Sequence, residues 1–435
     1  MTRKMKDSGV EWIGDIPEEW EVVPNKRIMK KVKNICEIYK DEKVLSLTMN
    51  GVIVRDLENP SGKMPLTFDG YQYVEKNNLL MCLFDIDVTP RCIGIIENNG
   101  ITSPAYSQFE LTNDADIKYY YYYYLNLDYT KELLHLAKNL RHSLTEGQLG
   151  EVYVPMPSKE EQTQIASYLD KKCNKIDQTI EKEKQVIEKL KEYKQSVITE
   201  AVTKGLNPDV KMKDSGVEWI GEIPEHWQVV KLKQVFSFRK GLSITKDNLV
   251  EKGVKVISYG QIHSKNNNGV SIDDSLIRYV GNEYLEMGKQ SLVLKNDFIF
   301  ADTSEDLEGA GNCVFVDSDE EIFAGYHTII LAPIKRESIP NWRYFAYLYK
   351  TDCWRSQIRS RVSGIKLFSI TQKILKQAEV IMPDINEQQK IIDYLDNKCS
   401  SIDKLISNKE KVIDKLTEYK KSLIYECVTG KREVQ

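Results

Sequence analysis

The chain has 435 residues, 41% hydrophobic and 29% charged; that is too long for one compact core and too apolar for general disorder, so two or three folded domains are expected. Lys and Arg total 61 against 65 Asp and Glu, a formal charge of -4, which argues against a chain-wide basic surface for gripping nucleic acid. Met1 to Asp7 is basic but leads into Gly9, Trp12 and Pro17 rather than an apolar run, and no stretch reaches roughly eighteen apolar residues, so no signal peptide or membrane span is expected and the cytoplasm is the expected location.

In chain order, the first recognisable element is KDSGVEWIG at Lys6 to Gly14, continued by Ile16, Pro17, Glu18 and Trp20. A middle region follows, in which KVLSLTMNGVIV from Lys43 and NLLMCLFDI from Asn78 read as strands because β-branched and aromatic residues favour a pleated, half-buried surface. A helix carrying Tyr119 to Tyr124 closes this domain, with its tyrosines assigned to packing, before a polar loop and the strand-like VYVPMP. Ser158-x-x-Glu161, just after Pro157, is a capping box that starts a long helix, and Gly205 sits where a left-handed terminating residue is wanted. That helix has about 45 residues and spans roughly 70 Å, too long for the inside of a small globule.

The order then repeats. KDSGVEWIG recurs at Lys213 to Gly221, and Ile223, Pro224, Glu225 and Trp227 follow as before. VKVISYGQI from Val254 and DFIFA from Asp297 read as strands, a helix with Tyr344, Phe345, Tyr347, Leu348 and Tyr349 closes the second domain, and EVIMP precedes a second capping box, Asp384-x-x-Glu387. EQQKIIDYLDNKCSSID from Glu387 echoes EQTQIASYLDKKCNKID from Glu161, and Gly430 ends the second helix. A repeat this long is a whole domain with its helix, so the chain is a tandem duplication with a shared frame and divergent middles, Val22 to Thr130 and Val229 to Asp352. The frame tryptophans Trp12, Trp20, Trp219 and Trp227 are expected to anchor the N-terminal segments.

Both long helices carry a heptad seam. In the first it runs through Leu169, Cys173, Ile176, Ile180, Glu183, Ile187, Leu190, Lys194, Val197 and Ala201; in the second through Leu395, Cys399, Ile402, Ile406, Lys409, Ile413, Leu416, Lys420, Leu423 and Cys427, with the polar interruptions at matching places. A seam of that length needs a partner helix, and the short linker favours an antiparallel return. The expected fold is α+β: two globular α/β domains, each followed by a long helix, the two helices pairing as an antiparallel coiled coil with pseudo-two-fold symmetry and a domain at each end. The expected boundaries are 1–157 and 213–383 for the domains, 158–205 and 384–430 for the helices, 206–212 for the linker and 431–435 for a tail. The eight cysteines form no C-x-x-C pair and have no histidine at ligand spacing, so buried, reduced thiols are expected.

The paired W-I-G-x-I-P-x-x-W opening, the strand ending in Pro before an E-Q-x-x-I-x-x-Y-L-D helix, and the doubling of the whole unit resemble Type I restriction-modification specificity subunits over nearly the entire chain. The resemblance implies a subunit without chemistry of its own, whose two target-recognition domains read the two blocks of a split sequence in double-stranded DNA while the paired helices act as a ruler. It also implies docking of two methyltransferase subunits, with recruitment of ATP-driven restriction subunits, so that S-adenosylmethionine, ATP and magnesium belong to the partners and no cofactor to this chain. The outward apolar positions Val186, Ile198, Val412 and Ile424 are candidate seats for partner helices.

The motifs of an enzyme are missing from the sequence. There is no Asn-Pro-Pro-Tyr-like or Asp-Pro-Pro-Tyr-like segment and no Gly-rich strand-to-helix loop, and Gly288-Lys289-Gln290 lacks both the upstream glycine and the Ser/Thr of a phosphate loop. Asp384 with Asp396-x-Lys398 formally matches a nuclease pattern, but Asp384 is already a helix cap and Ser158 replaces it in the first copy. His135, His142, His226, His263 and His327 share no i, i+4 spacing, so no metal is expected.

Base reading needs side chains with paired donors or acceptors on loops or strand ends. In the first domain the candidates are Arg91, Tyr106, Arg141, His142 and Ser143. In the second, the loop through Arg359, Arg361, Ser363, Gly364 and Lys366 is basic and leads the set, completed by Lys240, Tyr259, Gln261, His263, Thr303, Ser304 and His327. The alternative is a coiled-coil scaffold with two protein-interaction domains that never binds DNA, which the acidic net charge favours. A third reading, a methyltransferase or nuclease in its own right, predicts activity from the purified chain alone.

Overall fold

The computed structural model describes residues 3–60, 62, 64–137, 139–339 and 341–434. The chain divides into two compact units, Met1–Lys184 with Lys409–Gln435, and Gln185–Asn408. The division falls inside both long helices, Lys159–Lys204 and Ile385–Val428, so each unit holds one globular domain, the start of the helix that follows it and the end of the other helix.

The two middles share a four-stranded antiparallel sheet despite their unlike sequences. In the first unit the order across the sheet is Ile93–Ile95, Leu79–Met81, Ser107–Leu111 and Met29–Val32; in the second it is Cys313–Phe315, Phe298–Ala301, Thr328–Pro333 and Phe236–Lys240. The central strand of each is entered through an asparagine in the left-handed region, Asn77 at φ 67° and Asn296 at φ 74°. Asn tolerates that backbone better than most residues, which fixes the turn into the sheet. The outer layers differ. The first domain adds a three-stranded sheet and the hairpin Leu45–Thr48 with Gly51–Val54, whereas the second adds a five-stranded sheet in which Val254–Ile257 runs parallel to Ile322–Ala324.

Behind each core sheet lies the closing helix. Ile117–Thr130 buries Tyr119, Tyr120, Tyr122, Tyr123 and Tyr124, so the tyrosine run is packing, and Arg343–Tyr349 with Asp352–Arg359 fills the same role in the second unit. Tyr119 Oη donates to the carbonyl of Val428 at 2.8 Å, and Tyr344 Oη to that of Val202 at 2.9 Å, so each closing helix is tied to the end of a long helix within its own unit.

The capping of the long helices departs from the expected reciprocal box. Ser158 Oγ and Asp384 Oδ1 do accept from the backbone N–H of Glu161 and Glu387, at 3.3 and 2.9 Å. The glutamates, however, do not reach back. Glu161 accepts from Trp20 Nε1 at 2.8 Å and from Arg3, and Glu387 from Trp227 Nε1 at 2.8 Å and His226 Nε2 at 2.9 Å. A buried indole N–H needs an acceptor and the first turn of a helix favours an anion, so one carboxylate meets both demands and docks the N-terminal segment. Trp20 and Trp227 are fully buried, and Trp12 is half-buried but packs against the first core, whereas Trp219 is exposed, so the anchoring role falls to three of the four tryptophans. Gly205 and Gly430 end the helices at φ 76° and 72°, and a Cβ at either would press against Trp227 or Trp20.

Within each unit the helix segments pair through the seam. In the first, Leu169, Ile176 and Leu423 are buried, with Ile180, Ile413 and Leu416 half-buried; in the second, Ile187, Val197, Leu395 and Ile402 are buried, with Leu190 and Ile406 half-buried. The four polar interruptions form three ion pairs: Lys420 with Asp177 at 2.6 Å and Lys409 with Glu183 at 2.9 Å in the first unit, Lys194 with Asp403 at 2.7 Å in the second. Partner numbers fall as first-helix numbers rise, so the first unit's segments are antiparallel. Solvated pairs contribute about 0–1 kcal/mol each, against roughly 1.5–3 kcal/mol for a fully buried aliphatic side chain, so the apolar positions hold the seam and the charges set its register.

Two of the four expected docking positions are corrected. Val186 and Val412 are exposed, but Ile198 and Ile424 are buried in the cores of their own units. The reason is the closing helix, which covers a second face of each long helix that the heptad count treats as outward. All eight cysteines are free thiols, six of them buried. Among the described residues no helix is long and apolar enough to cross a membrane.

Candidate nucleic-acid interface

In the second domain three loops meet at one end of the core sheet: the segment from Lys240 after strand Phe236–Lys240, Asp302–Ser304 after Phe298–Ala301, and Tyr326–His327 before Thr328–Pro333. They line a cleft of about 750 Å³ with Ser369 and Lys373 on its far side. The loop that follows the closing helix is tied to the same place, because Thr303–Ser304 pairs antiparallel with Phe368–Ser369 and Ser363 bridges Ser369. His327 holds a left-handed backbone at φ 54° with its Nδ1 3.2 Å from Asp302 Oδ1, and Tyr259 packs edge-on against its ring at 5.4 Å. A positive φ at a non-glycine residue is uncommon, and here it turns an exposed imidazole toward the cleft rim.

The structure sorts the second-domain candidates. Lys240, His327, Arg361, Ser363, Gly364 and Lys366 are exposed and Tyr259 half-buried, leaving them available to a ligand. Others are spent on the fold. Ser304 is 1% exposed and Thr303 9%. His263 has both ring nitrogens engaged, Nε2 with the carbonyl of Thr303 at 2.8 Å and Nδ1 with Asn312 at 3.1 Å. Gln261 uses its side-chain oxygen to accept from Ser258 N, and Arg359 is held by Asp352 at 3.0 Å and Glu308 at 2.8 Å. Those five are corrected from readers to struts. Polar groups at strand ends must satisfy the backbone of loops that leave the sheet, and residue type alone does not say which side chains are claimed. Asp302, Tyr326 and Lys373 line the cleft and were missed; Tyr326 adjoins His327, which is the only local signal for it.

The first domain builds the corresponding end of its sheet with other residues. Asp85 N donates to the carbonyl of Arg141 at 2.9 Å, Ile86 N to that of His142 at 3.3 Å and Leu144 N to that of Leu83 at 2.8 Å, again tying the loop after the central strand to the loop after the closing helix. His142 is also left-handed, φ 41°, and its Nδ1 lies 2.8 Å from Asp87. Arg141 and His142 are exposed there. Ser143 donates to the carbonyl of Arg141, Tyr106 is half-buried against Phe84, and Arg91 donates to Tyr121 Oη of the closing helix at 3.1 Å, so these three are partly committed within the fold.

A family model described as the Type I restriction modification DNA specificity domain matches residues 91–192 and 224–417, more than half of the chain. The chain belongs to that family. Among curated relatives of this specificity chain, the Type I restriction enzyme MjaVIII specificity subunit of Methanocaldococcus jannaschii is 25% identical over 65% of this chain and 63% of its own length. The alignment thus spans less than two thirds of that relative. The putative MjaX specificity subunit of the same organism is also 25% identical, over 97% of this chain and 96% of its own length. In fold, the specificity chain is similar to one from a study of complex assembly and conformational transition of the type I R-M system (TM-score 0.69, 12% identity, 95% and 98% coverage) and to the HsdS subunit of Thermoanaerobacter tengcongensis (TM-score 0.51, 12% identity, 96% and 98% coverage).

Among the described residues of the specificity chain, one group of possible metal ligands appears that the sequence spacing does not reveal: His226, Asp384 and Glu387, within 4.8 Å of one another. Their geometry serves another purpose. Glu387 already accepts from Trp227 and His226, Asp384 caps the helix, and the positive end of a helix dipole opposes a cation. In the first copy Arg3 occupies the corresponding role beside Glu161, a cation that does the work of His226.

Proposed function

We propose that the chain is the DNA-reading subunit of a Type I restriction-modification complex, each domain reading one half of a split duplex target. One observation carries the reading: two domains of unlike sequence keep the same sheet order and bring the same three connections to one sheet end, while the residues offered there differ. A shared scaffold with interchangeable loops suits the recognition of two different short sequences. His327, Lys240, Arg361 and Lys366 in the second domain, and Arg141 and His142 in the first, are the readers and phosphate contacts. A net charge of -4 is compatible with this role when the partners neutralise most of the phosphates.

The chain performs no chemistry. Two methyltransferase subunits dock on it, with Val186 and Val412 as apolar seats, restriction subunits can join the assembly, and S-adenosylmethionine, ATP and magnesium are held by those partners in the cytoplasm. The test is to map methylated adenines in cells carrying the chain with its methyltransferase, then to replace Val229 to Asp352 with another reader. One half of a split motif is expected to change and the other to persist; a change in both halves or in neither would refute one domain per half-site. The scaffold reading, favoured by the acidic balance, predicts no gel-shift of duplex DNA by the assembled complex.

A further inference from the structure

The loop between the closing helix and the Thr-capped short helix ends, in both domains, in an aliphatic side chain fully exposed to solvent: Leu140 in the first and Ile365 in the second. Thr145 and Thr371 cap the two short helices, so the loops occupy the same place in the two copies. Among the described residues Leu66 is the one other large aliphatic so exposed, and it has no counterpart in the second domain. A fully solvated Leu or Ile at one loop tip would be unremarkable, since much of any protein surface is apolar. Its presence at the same tip in two domains that share almost no sequence there calls for a cause outside the fold.

Neither tip is loose. In the first domain Asn139 closes the turn with its own side chain, donating to the carbonyl of Ser143 at 2.7 Å and accepting from the N–H of Arg141 and of Ser143 at 3.2 and 2.8 Å. Leu140 is held at the apex of that ring. In the second domain the turn is closed by backbone: Ser369 N donates to the carbonyl of Ser363 at 3.3 Å, and Gly364 approaches the carbonyl of Leu367 so closely that a Cβ could not be accommodated. Two chemically unrelated devices, closing turns of different length, thus each hold an aliphatic tip. Basic side chains stand close in sequence to each tip, Arg141 next to Leu140, and Arg361 and Lys366 near Ile365; His142, also exposed, has its Nδ1 2.8 Å from Asp87. The base of each turn is bonded to the loop that leaves the central strand, at the sheet end where the reading residues lie.

We infer that Leu140 and Ile365 are wedges, each entering a base step of the half-site read by its own domain and unstacking it. A rigid aliphatic side chain beside basic groups matches a duplex: the basic groups meet phosphates while the apolar tip leaves water for the faces of two bases. Pre-formed turns avoid the ordering cost that a flexible tip would carry on binding. Sequence preference then follows without a hydrogen bond, because pyrimidine–purine steps open more readily than others.

The inference rests on duplex reading by these domains, and its test separates the two. The full chain, assembled with its methyltransferase subunits, is bound to its mapped target carrying 2-aminopurine at successive adenine positions, and fluorescence reports unstacking. Wild type is expected to raise the signal severalfold at one step in each half-site; Leu140→Ala should abolish the rise in one half only, Ile365→Ala in the other, and Leu66→Ala in neither. Leu140→Met, which keeps length and apolarity, should restore it. Sequence-specific binding with a signal unchanged by both alanine variants would overturn the wedges and leave the reading intact. Absence of specific binding by the wild-type complex would overturn the reading, and the wedges with it.

Discussion

The two globular domains of this chain are built on one plan from different material. Each has the same four-strand order, the same left-handed asparagine before its central strand, and the same tie between the loop after that strand and the loop after the closing helix. Yet the residue after the asparagine is neutral in the first domain, Asn78, and a buried carboxylate in the second, where Asp297 sits between Arg239 at 3.1 Å and Arg336. One domain closes its exposed turn with an asparagine side chain, the other with glycine and a backbone bridge. The comparison teaches that position in the frame is held constant while the chemistry at each position is free to drift.

Breaking one domain and not the other is the sharpest way to use that comparison. Asp297→Ala removes the buried carboxylate shared by Arg239 and Arg336, each about a third exposed, and each hydrogen bond to a charged group contributes about 1.5–3 kcal/mol. Urea denaturation should show the second unit unfolding first in this variant, with the first unit's transition unmoved; coincident transitions would mean that the units are not separable in stability.

The frame, by contrast, predicts equal losses. Glu161→Ala and Glu387→Ala each remove the acceptor of a buried indole N–H, and a hydrogen bond to a charged group contributes about 1.5–3 kcal/mol. The two variants should lose stability to a similar extent in chemical denaturation, and the glutamine replacements should recover part of it. A large loss in one copy alone would show that the shared motif has taken on different duties.

A smaller effect distinguishes the closing helices. Lys350 of the second domain donates to the carbonyl of Asn268 at 2.6 Å, and its pKa is pushed down to about 8 by burial, aided by Lys194 and Arg355. Counting from the paired Tyr119 and Tyr344, its counterpart in the first domain is Leu125, a buried aliphatic residue with no charge to desolvate. Because the folded value lies below the ordinary lysine value of about 10.4, the unfolded chain binds more protons between the two. The penalty is therefore full below about pH 8 and is relieved as the pH rises toward the unfolded value. Lys350→Met should stabilise the protein at pH 7 by on the order of 1–2 kcal/mol, and the gap to wild type should shrink between pH 8 and 10.5. A gap that stays constant across that range would show that this amine is not held in a depressed state.

Much of this architecture was legible from residue order. The long helices begin and end where Pro157, Ser158, Pro383, Asp384, Gly205 and Gly430 mark them, because caps and left-handed terminators are local chemistry. The seam was legible for the same reason, being a periodic pattern. The site was less so: Arg141, His142, Lys240, His327, Arg361 and Lys366 emerge exposed, but Thr303, Ser304, Gln261, His263 and Arg359 are consumed inside the fold. Residue type names a donor or acceptor and says nothing about whether a neighbour from a distant strand has already taken it.

Sequence alone determined the duplication, the helix limits, the heptad register and the family, all of which depend on spacing along one strand of chain. Tertiary structure decided the rest. It gave Glu161 and Glu387 to tryptophans rather than to their own helix caps, turned Ile198 and Ile424 inward, and brought loops separated by more than a hundred residues of sequence to one sheet end. Burial and hydrogen-bond partnership are properties of packed neighbours, and in this chain the neighbours that matter come from the far copy of the frame or the far side of a domain.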